Sequence, residues 1–196
     1  MFKYDLEDFV WQTTGKPYIQ TPLYEILHGK LFGRVLLNEG TWLGGGALRR
    51  TVLGQPLDSD FDIFFKGQGY LDIAANLIES HGDSRDVRPH NTTFVTNGLK
   101  VQLIHKVWES PEKVIDDFDY TNCQLITDGK DIWVGPWTLY DLGRKRLRVH
   151  KIGNVQASLR RLIKYTKQGF YACDGTLLTI LDAAKTATLS GPFYID

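Results

Sequence analysis

Asp60 and Asp62 stand two residues apart in the run Asp58-Ser59-Asp60-Phe61-Asp62-Ile63-Phe64-Phe65, a short way after Gly44-Gly45-Gly46-Ala47-Leu48-Arg49-Arg50. Side chains alternate along an extended segment, so both carboxylates would leave one face while Phe61, Ile63 and Phe65 pack on the other. Aligned carboxylates are hard oxygen ligands for Mg2+ or Mn2+. A glycine turn that opens a short helix presents backbone N–H groups to phosphate oxygens. Together they suit a nucleoside triphosphate carried by a divalent ion. Each feature also has a plain reading, since aspartates start many turns and glycines fill many loops. Their order, and the cost of charges inside a Phe/Ile-rich strand unless paired or metal-bound, favour the chemical one.

The elements that must position these residues follow from pattern and punctuation. Thr41-Trp42-Leu43 reads as a strand into the glycine turn, 46–53 as a short helix and 60–66 as the carboxylate strand. Residues 5–12 and 20–38 read as helices; Leu23, Ile26, Leu27, Leu31 and Val35 recur near helical spacing, with Gly29 and Gly33 placed to bend or break the second. Residues 69–80 form an amphipathic helix with Leu71, Ile73, Ala74 and Leu77 inward, ending at His81-Gly82. Residues 92–96 and 99–105 make a hairpin around Asn97-Gly98. A helix over 111–117 precedes a second hairpin, 121–127 with 131–134, closed by Asp128-Gly129. A helix near 137–142, a strand near 146–150, a long helix capped by Asn154 and ended before Gly169, and a helix near 176–187 complete the chain. The class is α+β: a mixed β-sheet with helices over 1–150, then a short helical segment over 151–196.

Bulk properties bound the function. The chain has 196 residues, 42% of them apolar, with no formal net charge. No run of 18 apolar residues spans a membrane. The acidic Asp5, Glu7 and Asp8 stand where a signal peptide would be apolar, so a cytoplasmic location is expected. Cys123 and Cys173 are too few for a disulfide framework or zinc site. Between Asp141 and Asp174 there is no acid, yet Arg144, Lys145, Arg146, Arg148, Lys151, Arg160, Arg161, Lys164 and Lys167 fall there. Such a block suits polyphosphate or an RNA backbone, or else a solvated face whose acids lie elsewhere in space. The five histidines show no ligand spacing, and Trp42, Trp108, Trp133 and Trp137 read mostly as core, with Trp133 or Tyr165 available to stack on a base.

At Gly45-Gly46, Arg49, Val52-Leu53-Gly54 and Asp60-Phe61-Asp62 the chain resembles the nucleotidyltransferase superfamily, most closely the head of class II tRNA nucleotidyltransferases and bacterial poly(A) polymerases. Small nucleotidyltransferase-like proteins of tailed phages share the arrangement. Thr92-Thr93-Phe94-Val95 with Val101-Gln102-Leu103-Ile104 resembles the family's following hairpin, and Phe118-Asp119-Tyr120-Thr121 its Asp-Phe-Thr signature. Leu159-Arg160-Arg161-Leu162-Ile163-Lys164-Tyr165 is similar to its neck helix. The departures are Arg50 for an Asp, Gln102 where an acid often stands, and Asp116 and Asp117 for flanking arginines.

The resemblance implies a nucleotidyltransferase-like core with a helical neck, moving a nucleoside monophosphate from a triphosphate to an acceptor hydroxyl with release of pyrophosphate. Asp60 and Asp62 would hold Mg2+ or Mn2+. Gly45 and Gly46 N–H groups and Arg49 would take the phosphates, with Arg161 and Lys164 on base or triphosphate. A surface ion pair is the alternative for Arg49, a turn role for Asp58, and a structural cap for Asp119. The acceptor is expected to be an RNA 3′ end bound through 144–167; the alternatives are a protein or small-molecule hydroxyl in a toxin or defence setting, or nucleotide binding without transfer.

Overall fold

The computed structural model describes residues 1–31, 34–81 and 84–187; Gly33 and Gly82, read above as a bend and a helix end, and the end of the 151–196 segment lie outside the described residues. The chain starts with β1 (Phe2–Asp5), which the sequence pattern did not announce, and α1 (Leu6–Thr14). The Asp5 carboxylate caps α1, accepting from the N–H groups of Glu7 and Asp8 at 2.9 and 3.2 Å. The single helix expected over 20–38 does not form. A 3-10 turn (Tyr18–Gln20) leads to α2 (Pro22–Glu25), which widens into a π-helix (Ile26–Lys30). Leu23, Ile26, Leu31 and Val35 are all buried, so their spacing reported burial, while Gly29 weakens the helix that would have joined them.

Next come β2 (Thr41–Gly44), α3 (Gly46–Val52), β3 (Phe61–Phe65) and α4 (Gln68–Glu79). On α4 the buried positions are Ala74 and Ile78, whereas Ile73 is 60% exposed, contrary to the inward role expected of it. The helix meets the sheet along Leu71, Ala75 and Ile78, which turns Ile73 to solvent. An unforeseen edge strand, β4 (Ser84–Val87), precedes the hairpin of β5 (Asn91–Thr96) and β6 (Leu99–Val107). Asn97 and Gly98 both take positive φ, 46° and 74°, as a two-residue turn between twisted strands requires.

The second half runs α5 (Pro111–Asp117), β7 (Leu125–Thr127), β8 (Asp131–Val134), α6 (Thr138–Gly143), β9 (Arg146–Leu147), α7 (Val155–Lys167), β10 (Tyr171–Ala172) and α8 (Asp174–Thr186). The strand expected over 121–127 keeps only its last three residues; Thr121–Cys123 is a 3-10 turn. Asn154 caps α7 as the sequence indicates, its Oδ1 accepting from Ala157 N–H at 2.9 Å.

Eight strands form one sheet in the order β1-β8-β7-β2-β3-β6-β5-β4, and β3 with β6 is its parallel pair. One register row crosses all eight: Lys3, Trp133, Ile126, Gly44, Asp62, Gln102, Thr93 and Asp86. Neighbours in a row share a face. The opposite face carries Leu43, Phe61, Ile63, Phe65, Val101, Leu103 and Leu125 into the main core beneath the helices. Phe61, Ile63 and Phe65 are no more than 1% exposed, and burying each such side chain is worth about 1.5–3 kcal/mol. On the Asp62 face, α5 covers Trp42, Phe64, Ile126 and Trp133, and leaves the part near Asp62 open.

Candidate active site

That opening is a cleft of about 810 Å3 between the glycine turn, the start of β3, β6, the end of α5 and α7. It brings Gly45, Gly46, Arg49, Asp60, Asp62, Arg161 and Lys164 together, so the sequence-predicted site residues all line one space. Gly45 has φ 73° and ψ −124°, a conformation that needs glycine. A Cβ there would sit 3.5 Å from Asp62 Oδ2, so the turn lies directly against the carboxylate. Gly45 N–H donates to the Leu125 carbonyl at 3.1 Å and is not free for a phosphate. The first bond of α3 is Arg49 N–H to the Gly45 carbonyl, 3.1 Å, which leaves the N–H groups of Gly46, Ala47 and Leu48 without an intrahelical acceptor.

Asp62 is flanked in register by Gly44 and Gln102. Burial pushes its carboxyl up to about 7, and the neighbouring Asp60 adds to the shift; Lys164, Arg161 and Lys100 oppose it. Asp60 is better compensated. Gln102 Nε2 donates to its Oδ2 at 2.8 Å, and Lys100 Nζ lies 3.3 Å from Oδ1. Gln102 therefore orients the first carboxylate from the position where the family often has an acid. Among the described residues no group of three or more His, Cys, Asp or Glu side chains is placed to hold a metal. The donor set is two carboxylates backed by an amide. Those hard oxygens, one of them short of positive charge, fit a divalent cation such as Mg2+ or Mn2+.

Arg49 is placed differently from expectation. It is 2% exposed, and Nη2 donates to Gln168 Oε1 at 2.8 Å, with the guanidinium 4.7 Å from the Tyr165 ring and 5.6 Å from the Phe170 ring. It is not a surface ion pair: Nη1 also donates to Cys123 Sγ at 3.8 Å, its other partners belong to α7 and the segment after it, and Nε has no protein partner. Arg161 donates to the buried Asp119 carboxylate at 2.8 Å, which also accepts from Ser158 Oγ at 3.1 Å. Asp119 thus fastens α7 to the segment between α5 and the 3-10 turn at Thr121–Cys123. Lys164 is exposed, lines the cleft and forms no ion pair among the described residues. Asp58 pairs with Arg50 at 2.9 Å and does not line the cleft.

Two participants were missed at the sequence level. Lys100 faces Asp60, and alternation along β6 would have found it, since Lys100 and Gln102 share the face opposite Val101 and Leu103. Ser59 has a buried hydroxyl without a protein partner, 3.3 Å from where a Gly46 Cβ would lie. The acid-free block is also less cationic in space than in sequence. Arg148 pairs with Asp141, Lys151 with Asp116 and Asp117, and Arg161 with Asp119. No described helix is long and apolar enough to cross a membrane.

The fold is that of solved class II tRNA nucleotidyltransferases and CCA-adding enzymes, a nucleotidyltransferase-like head and neck. The Thermotoga maritima CCA-adding enzyme complexed with tRNA superposes with a TM-score of 0.66 at 16% identity, over 94% of this chain and 46% of that one. A CCA-adding enzyme complexed with CTP gives a TM-score of 0.69 at 15% identity, over 94% and 47%. A tRNA nucleotidyltransferase with a primer tRNA and an ATP analogue gives 0.57 at 20% identity, over 74% and 43%. The chain spans less than half the length of these proteins. No curated protein matches it. Residues 16–145, well over half of the chain, match the family described as Gabija anti-defense 2, and the chain belongs to that family.

Proposed function

We propose that the protein is a metal-dependent nucleotidyltransferase that opposes the Gabija defence by moving a nucleoside monophosphate from a triphosphate to a hydroxyl of a protein or small molecule. The observation that carries this reading is the convergence of Asp60 and Asp62 with the Gly45 turn and Lys164 on one cleft. The family's anti-defense description supports the setting. An RNA 3′ end is the second acceptor, favoured by the likeness of the fold to enzymes solved with tRNA.

Asp60 and Asp62 would hold Mg2+ or Mn2+, which when bound lowers the pKa of an attacking hydroxyl and neutralises the departing pyrophosphate. Asp62 must be deprotonated to act as a ligand, and Gln102 holds the Asp60 carboxylate through its amide. The free N–H groups at the start of α3 meet the triphosphate, with Gly45 supplying the bend rather than a donor. Lys164 and Arg161 reach the phosphates or base from α7, and the segment after residue 150 serves as a neck. Arg49 is a positioning residue, seating the glycine helix against that neck.

The test is incubation with ATP, CTP, GTP and UTP labelled at the α-phosphate, Mg2+ or Mn2+, total RNA and bacterial extract. Label is expected on a protein or small-molecule fraction, with pyrophosphate released, and none with Asp60→Ala/Asp62→Ala. Label confined to RNA selects the second acceptor. Label that persists in the double variant removes the two aspartates from the chemistry.

A further inference from the structure

Outside the cleft, α6 and the β9/β10 pair expose a band of aromatic and cationic side chains. Trp137 and Tyr140 are each 50% exposed, and Tyr171 is 59% exposed. The rings of Trp137 and Tyr140 lie edge to face with centroids 6.4 Å apart. The Arg148 guanidinium sits 4.3 Å from the Trp137 ring, and that of Arg144 sits 5.3 Å from Tyr140. Tyr171 is the register partner of Arg146. None of these residues lines the cleft.

Trp137 was expected in the core, and its exposure is built rather than incidental. Arg148 is fixed from behind by two hydrogen bonds to the fully buried Asp141 carboxylate, 3.0 and 3.4 Å, and that carboxylate is locked in turn by Thr121 Oγ1 at 2.6 Å. The guanidinium is thereby held against Trp137, while half of the indole stays in water. Arg144, Lys145 and Arg146 make no ion pair with a carboxylate among the described residues; Lys145 Nζ lies 5.1 Å from the buried Phe170 ring and Arg146 Nη2 donates to Cys173 Sγ at 3.6 Å, so no carboxylate offsets their charge even though the chain's formal net charge is zero.

We propose that this band binds an unpaired nucleic-acid strand, bases stacking on Trp137 and Tyr140 while Arg144, Lys145 and Arg146 take the phosphates. Paired bases hide their faces, and an acidic protein surface would satisfy the cations without using the rings. Exposed rings interleaved with cations that mostly lack a carboxylate partner are the combination that a flexible polyanion with flat, unstacked bases satisfies throughout. Charge complementarity names the polyanion, and the rigid rings name the single strand. The binding does not depend on nucleotidyl transfer.

Fluorescence anisotropy with 15-nucleotide U15 and dT15 probes and a duplex of equal length tests it on the full chain and on Asp60→Ala/Asp62→Ala, which separates binding from transfer. Either single strand is expected to bind more tightly than the duplex, and the two probes identify the backbone preferred. Trp137→Ala and Tyr140→Ala are expected to weaken single-strand binding about tenfold or more, with Tyr140→Phe retaining it. Arg144→Glu should weaken it and flatten its salt dependence. Circular dichroism and thermal melts, measured in parallel, report that each variant is folded. No single-strand binding, equal affinity for duplex, or binding unchanged in both ring variants overturns the proposal, as does capture of a protein through this band with no nucleic-acid affinity.

Discussion

Gln102 and Asp60 are joined by a 2.8 Å hydrogen bond in which the amide donates to the carboxylate, although they come from different strands. An acid at position 102 would point at the same oxygen and repel it. Gln102→Glu is therefore expected to lower metal-free stability by about 1–2 kcal/mol through a lost bond and an added like charge. Millimolar Mn2+ should restore the loss and bind more tightly than in the parent. Calorimetric melts across a Mn2+ titration check both halves; a variant indifferent to Mn2+ would separate Asp60 from metal binding.

Asp62 gives a pH signature. Its folded-state carboxyl titrates near 7, above the usual 3.8, so the folded protein holds this proton more tightly than the unfolded chain does. Its contribution to stability is then most favourable below about pH 4 and declines as pH rises toward about 7. Asp62→Asn removes the decline and is expected to stabilise the metal-free protein at pH 8 by about 1–3 kcal/mol while changing it little at pH 4. Denaturant melts at the two pH values measure this. Divalent-ion affinity of the parent should rise as pH passes through about 7.

The two glycines of the turn should respond differently. Gly45→Ala places a side chain at φ 73° and against Asp62, with an expected loss of about 1–3 kcal/mol and of triphosphate binding. Gly46→Ala starts a helix without positive φ and meets only the Ser59 side chain, Oγ at 3.3 Å and Cβ at 3.6 Å, so helix propensity offsets crowding to within about 1 kcal/mol. Thermal melts and nucleotide titrations of both variants test the contrast.

Asp119→Asn should loosen the neck. The carboxylate accepts from Arg161 and Ser158 while 6% exposed, and exchanging it for an amide is expected to cost about 1–3 kcal/mol. Faster hydrogen exchange in α7, with β6 unchanged, would locate the effect; uniform acceleration would deny Asp119 a local role.

What could be read in advance was the geometry set by short-range rules. Alternation put Asp60 and Asp62 beside one cleft, Asn97-Gly98 made the hairpin, and Asn154 capped α7. What could not be read was pairing across distance. β1 and β4 are short edge strands, defined by partners far along the chain rather than by their own pattern. Leu23, Ile26, Leu31 and Val35 carried helical periodicity because they face the core, not because one helix runs through them. The burial of Arg49 was hidden because its partner Gln168 lies so distant in sequence, and Trp137 looked like core because nothing local reveals that Asp141 holds Arg148 against it.

The seat of Arg49 links two parts of the molecule mechanically. It belongs to the helix that begins at the glycine bend, yet its head is gripped by Gln168, Tyr165 and Phe170. Any coupling carried by this seat is reciprocal. A ligand at the bend that tightened α7 would itself be held more firmly whenever a second molecule steadied that helix.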